Sequence, residues 1–155
     1  MPTLVRLAPD PDSPDSLRLA AAMADILNHD DGLPPGMKVP AGQPPETAEH
    51  VLAFTRDWCL ARAARYHAVV DDAGRVIGGA TLSRINVEAG TARIGWFLAS
   101  GYQDRRTATV AALFGLARKL GLRQVATTAA DGDLALWQDA GIVADIIGKD
   151  LVGRL

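Results

Sequence analysis

Cysteine is almost missing from this chain. Cys59 stands alone among 155 residues, so neither an internal disulfide nor a cysteine-rich zinc site can form. Histidine is nearly as scarce, and His29, His50 and His67 stand too far apart for an HExxH-type ligand pair. A strong excess of either charge is missing too. The 16 Lys and Arg against 18 Asp and Glu give a net charge of −2 and a pI near 5.9, which excludes a generic nucleic-acid binder though not a local basic patch. No apolar run approaches the ~18–20 residues that span a bilayer. The opening Met1-Pro2-Thr3-Leu4-Val5-Arg6 has no signal-peptide hydrophobic stretch. No GxGxxG or Walker motif occurs, which weakens any reading as a nucleotide-binding α/β domain. The expectation is a soluble, cytoplasmic single domain over residues 1–155, with no metal, nucleic-acid partner or membrane attachment.

Proline is missing from most of the chain. All nine prolines lie in the first 45 residues and none in the remaining 110, where regular structure can therefore run uninterrupted. Hydrophobic residues make up 48%, enough for a buried core. Thr3–Ala8 reads as a strand and Pro9–Pro14 as a turn, with Ser13 or Asp15 as helix cap. Leu17–Leu27 then places Leu19, Met23, Ile26 and Leu27 on one helical face. Asn28–Pro45 is rich in proline, glycine and aspartate and reads as a loop of unusual length, which is more often functional than not. Thr47 caps a second helix with Val51, Phe54, Trp58 and Ala61 on one side, and Phe54, Trp58 and Trp96 read as core.

Further strands are expected at Tyr66–Val70, Arg75–Ile85, Thr91–Ala99 and Gln124–Thr128, with hairpin signals at residues 71–74 and 88–90. Thr107–Leu120 shows Val110, Leu113, Phe114 and Ala117 at helical spacing, ending on Arg118, Lys119 and Gly121. A short helix at Leu134–Ala140 and a final strand or strand pair at Ile142–Val152 complete the order. Helices and strands interspersed around one sheet mean an α/β or α+β sandwich.

One junction concentrates chemistry. Ile94-Gly95-Trp96-Phe97-Leu98-Ala99-Ser100-Gly101-Tyr102-Gln103-Asp104-Arg105-Arg106-Thr107-Ala108-Thr109 is a strand, a tight loop and a helix start in succession. The free amides and dipole of a helix's first turn form an anion site. Two arginines at that end oppose the dipole. A bound polyanion relieves the conflict, and so does simple solvation of both side chains.

This stretch resembles the acyl-CoA-binding core of the GCN5-related N-acetyltransferases, closest to the branch that acetylates ribosomal-protein N-termini and related amines. Those proteins typically read Ile-Gly-Tyr-Trp-Leu-x-Pro-x-Tyr-Gln-Gly-Lys-Gly-Ile-Ala-Thr, and Ile94, Gly95, Leu98, Tyr102, Gln103, Ala108 and Thr109 match without a gap. Ala135-Leu136-Trp137-Gln138-Asp139-Ala140-Gly141-Ile142 is similar to the family's Ala-Leu-Tyr-Glu-Lys-Leu-Gly-Phe, and Arg75-Val76-Ile77-Gly78-Gly79 to its strand after the acidic hairpin. The resemblance implies a mixed, mostly antiparallel sheet with splayed middle strands and helices on both faces. It implies acetyl-CoA as co-substrate between strands Thr91–Ala99 and Gln124–Thr128. Backbone groups of Phe97, Leu98 and Ala99 would hold the pantetheine arm. The amides of Gln103, Asp104, Arg105, Arg106, Thr107, Ala108 and Thr109 would cradle the pyrophosphate, and Trp137 would wall the thiol end.

The chain departs from the family at telling places. Asp104 and Arg106 stand where the family has glycine, so Arg106 would have to replace close backbone approach with its guanidinium, and Asp104 would have to point outward or pair with Arg105. The family's strand glutamate falls at Ala92 and Arg93, its tyrosine acid at Trp137, and its asparagine at Ala130 or Asp131. No residue is therefore assigned as general acid or base. Glu88 reads as a solvated turn carboxylate, His67 as a half-buried histidine and Cys59 as an apolar filler. Asp30, Asp31, Glu46 and Glu49 flank the long loop and either attract a cationic amine or are ordinary loop polarity. The expected activity is acetyl transfer to an amine, of a small molecule or a protein N-terminus, by direct attack. A non-catalytic binding or assembly module of the same fold is the alternative. The exposed last strand invites a homodimer.

Overall fold

The computed structural model describes residues 2–8, 13–33, 37, 39–130 and 132–155. Its elements are β1 (Thr3–Arg6), α1 (Pro14–His29), α2 (Ala48–Arg62), β2 (Arg65–Val70), β3 (Val76–Asn86), β4 (Thr91–Leu98), α3 (Arg106–Lys119), β5 (Gln124–Thr128), α4 (Leu134–Asp139), β6 (Val143–Ile147) and β7 (Asp150–Arg154), with a 3-10 segment (Ser100–Arg105) between β4 and α3. The turn expected at Pro9–Pro14 falls largely outside the described residues, as do Asp131 and part of the long loop. Of the two candidate caps of α1, Ser13 is the one used: its side chain accepts from the Ser16 amide, and Pro14 follows at the first helical position. Thr47 and Asp133 cap α2 and α4 in the same way.

The seven strands form one sheet in the order β1-β2-β3-β4-β5-β7-β6. Every neighbouring pair is antiparallel except β4 and β5. The last segment resolves into two strands, and β7 inserts between β5 and β6. At this end of the sheet the open edge is therefore β6 rather than the final strand, and it leaves Val143, Ile146 and Ile147 exposed.

Hydrophobic cores lie on both faces, as the alternation of side chains along the strands requires. Val69, Ile77, Leu82, Ile94 and Leu98 join Leu113 and Phe114 of α3 and Trp137 of α4, while Ala68 and Phe97 join Leu19 and Met23 of α1 and Val51 and Leu52 of α2. The expected stripe of α3 is buried along its length, and Gly121, at φ +78, ends the helix. The expected face of α2 is corrected. Its buried residues are Val51, Leu52 and Thr55, whereas Phe54 is 51% exposed and Ala61 lies in solvent. Thr55 tolerates burial because its hydroxyl donates to the Val51 carbonyl at 2.7 Å, and Phe54 recovers contact by stacking on Trp58 and meeting Tyr66 edge-on.

Candidate functional site

The single parallel pairing of the sheet is short. β4 and β5 share only the rungs Thr91↔Gln124, Ala92↔Val125 and Arg93↔Ala126, although β4 runs on to Leu98. Beyond Arg93 the two strands part and leave a fork. At the end of β4 the Ala99 amide donates to the Ile77 carbonyl at 2.8 Å. Strand alternation then turns the main-chain groups of Phe97 and Gly95 toward β3, and those of Ile94, Trp96 and Leu98 into the fork. Of the three residues read as pantetheine contacts, Leu98 faces the fork, while Ala99 spends its amide on β3. The Phe97 ring enters the α1 core, where Gly79 makes room for it: a Cβ there would lie 2.6 Å from Phe97 Cε1.

The fork leads onto the start of α3. Three helices have side-chain caps; α3 begins at Arg105 without one. The amides of Thr107 and Ala108 lie in its first turn, the part of a helix whose amides lack a carbonyl partner within the helix and from which anions are held. Other parts of the expected cradle are already committed. Gln103 turns inward, and its Nε2 donates to the Leu98 carbonyl at 3.1 Å and the Ala99 carbonyl at 3.3 Å. The Arg106 amide donates to Gln103 O, and Arg106 Nε folds back onto the same oxygen at 3.1 Å. Asp104 pairs with Arg105 on the surface, which neutralises the carboxylate nearest the turn. Thr109 is fully buried and its hydroxyl donates to Arg105 O at 2.8 Å. The loop, with Asp104 and Arg106 where the resemblance expects glycine, winds into a 3-10 turn, and several groups of the run from Gln103 to Thr109 are taken up by bonds within the turn.

The long loop is fastened at two points. Asn28 donates to the Glu46 carbonyl at 2.9 Å and accepts from its amide at 2.7 Å, closing the loop's base. Asp30 accepts from the Ser100 amide at 2.6 Å and from its hydroxyl at 2.7 Å, capping the 3-10 segment. Asp30 is thus a structural cap, not a carboxylate waiting for an amine. Where the family places a strand glutamate, Arg93 forms a two-point ion pair with Asp150 of β7, each N···O distance 3.1 Å. The capping role of Asp30 and any part for Asp150 could not be read from the sequence, because their partners lie 70 and 57 residues away and no local pattern marks them.

The remaining candidates are quiet. Trp137 is 1% exposed and packs edge-to-face on Phe114 at 5.1 Å, so its ring belongs to the core beside the fork. Glu88 is exposed in its turn, as expected. Burial raises the Cys59 pKa, the opposite of an activated thiol, and pushes the Tyr66 phenol up to about 12. His67 is more buried than expected, at 3% exposure, and burial lowers its pKa to about 4. A groove lined by Arg6, Cys59, Arg65 and Tyr66 lies between α2 and the β1–β2 edge, away from the fork. Among the described residues, no three His, Cys, Asp or Glu side chains group as metal ligands, and no helix is long and apolar enough to cross a membrane.

No protein-family model matches the chain, and no curated protein matches it by sequence. Solved structures match it by shape. A spermidine N-acetyltransferase from Vibrio cholerae, in a dodecameric structure, superposes with a TM-score of 0.60 at 16% identity, covering 99% of this chain and 91% of its own. A protein from the same organism, provisionally assigned as a ribosomal-protein-serine acetyltransferase, gives 0.64 at 16% identity over 90% and 88%. The chain has the fold of the GCN5-related N-acetyltransferases; its seven-stranded sheet is mostly antiparallel, as the resemblance implies.

Proposed function

We propose that a chain with this fold and this fork is an acyl-CoA-dependent N-acyltransferase that moves an acetyl group from acetyl-CoA to an amine by direct attack. The observation that carries the reading is the fork between β4 and β5 opening onto the uncapped start of α3. The residues present fit the donor. Main-chain groups of Ile94, Trp96 and Leu98 would pair with the pantetheine amides like an added strand. The amides of Thr107 and Ala108, with the guanidinium groups of Arg105 and Arg106, would hold the pyrophosphate. Bound acetyl-CoA would supply an activated thioester carbonyl. Fork amides would polarise that carbonyl and hold it in line for attack, contributions that need no proton carrier.

The acceptor side supports an amine that arrives already neutral. Arg93 stands in the place of the family's glutamate, and its pairing with Asp150 leaves neither as a base. General-base help is typically worth ~10²–10⁴-fold, so the reading favours a low-pKa amine. An α-amino group, with pKa near ~8, has a usable neutral fraction at physiological pH. A protein N-terminus or a small α-amine therefore suits the site better than a polyamine. The exposed β6 edge supports pairing with a second copy of the chain.

Calorimetric titration with acetyl-CoA and CoA tests the donor assignment: saturable heat is expected, and no heat at millimolar ligand would remove it. Arg106→Glu should weaken CoA by more than about tenfold, because it places a carboxylate beside the phosphate seat. Unchanged affinity would leave Arg106 no part in donor binding. Thiol release from acetyl-CoA across a panel of amines is expected as well. Binding without release for any amine would make the chain a binding module.

A further inference from the structure

Resting on the fork as the donor seat, we infer that Arg93 and Asp150 are positioning residues: their ion pair, strung from β4 over β5 to β7, sets how far the fork opens. The cross-strand register locates it. Arg93↔Ala126 is the last rung that β4 and β5 share. The next β5 residues are committed to β7, as Thr127↔Leu151 and Thr128↔Asp150. Arg93 and Ala126 lie in one row of side chains; Thr128 and Asp150 lie in the next row, on the same face. The bond therefore runs diagonally past the final shared rung, toward the side on which the strands part.

The small residue between them matters. Ala126 presents only a methyl group, so the long arginine side chain can cross β5 and reach β7. Arg93 Nη1 donates to Asp150 Oδ2 and Nη2 to Oδ1, each at 3.1 Å. Two parallel bonds fix the direction of approach as well as the distance, which a single lysine contact would not. The side chains are 32% and 39% exposed, so the attraction itself is screened and adds little to global stability. Its effect is geometric. β4 is held to the β5–β7 pair at the apex of the fork, where a small angular change moves residues 94–98 most.

Hydrogen exchange of the ligand-free protein and calorimetry with CoA test this together, on Arg93→Gln, Asp150→Asn and the exchanged double variant Arg93→Asp with Asp150→Arg. Each single variant should speed exchange at the amides of Ala92 and Ala126, which bridge β4 and β5, by about tenfold and weaken CoA by about tenfold, within the range for coupled neighbours. The double variant should bring both back toward wild type, while melting temperatures stay close throughout. Unchanged exchange in both single variants would overturn the inference. So would a loss of CoA or acceptor affinity in Arg93→Gln with Asp150→Asn silent, which would make Arg93 a direct ligand. If the wild type takes up no CoA while the exchange pattern appears as expected, the donor assignment falls and the inference about the fork stands.

Discussion

Acid should weaken this protein through His67 well before its carboxylates protonate. His67 sits on β2 at 3% exposure, and its Nδ1 has no hydrogen-bond partner. Burial lowers its pKa from 6.5 to about 4; the Ala80 main chain opposes that shift, and Arg6 and Arg65 add to it. In the unfolded chain the imidazole titrates near ~6.5. As pH falls, the unfolded chain therefore gains a proton that the folded chain refuses. The contribution is fully present above about pH 6.5 and drains away as pH drops toward about 4. A pKa difference of about 2.5, at about 1.36 kcal/mol per unit, amounts to about 3 kcal/mol, a large share of the ~5–15 kcal/mol that holds an ordinary domain. Asp71 and Asp150 are held below the ordinary carboxylate value of 3.8 by the Arg75 main chain and by Arg93, so their losses begin at lower pH. Urea unfolding at about pH 7 and about pH 4.5 isolates the histidine: wild type should lose about 2–3 kcal/mol between them. His67→Phe, which fills the same space without a titrating nitrogen, should lose little. Equal losses in the two proteins would refute the reasoning.

Three further outcomes follow from the backbone and the sheet edge. Ala63 ends α2 in the left-handed region at φ 46, ψ 56. Left-handed geometry costs a residue with a Cβ roughly 1–2 kcal/mol, so Ala63→Gly should gain about 0.5–1 kcal/mol after the added chain entropy, read as a melting point higher by roughly 1–4 °C. Gly78→Ala should lose more than about 3 kcal/mol in urea unfolding, because the new Cβ would stand 2.0 Å from the Phe97 carbonyl oxygen; a wild-type midpoint would show that β3 and β4 can separate cheaply. Sedimentation should find the wild type dimeric and Ile147→Lys monomeric, since Ile147 is 57% exposed on the edge strand; a monomeric wild type would end that reading.

What the sequence discloses is what is local. The stripe of α3 and its glycine stop are periodic signals within one element, so they survive folding unchanged. One arm of the fork and the start of α3 could be marked because residues 94–109 form one contiguous stretch with a family likeness. The buried face of α2 was hidden because Thr55 counts as polar until its hydroxyl finds the Val51 carbonyl, while Phe54 counts as core until nothing covers it. The two ties that shape the site, Arg93 to Asp150 and Asp30 to Ser100, join residues far apart in the chain. Each partner alone is an unremarkable surface charge or hydroxyl. The fold-back of Arg106 was equally hidden, since a guanidinium reaches phosphate, solvent or its own preceding turn with the same covalent chemistry.

The tie between Asp30 and Ser100 has a consequence for traffic through the site. In the proposed reading, the segment that would border the amine's approach grips the turn that would seat the donor. Whatever tugs the loop changes the turn's footing, and whatever settles on the turn steadies the loop by the same free energy. The two substrates would thus sense each other across a single carboxylate without ever touching.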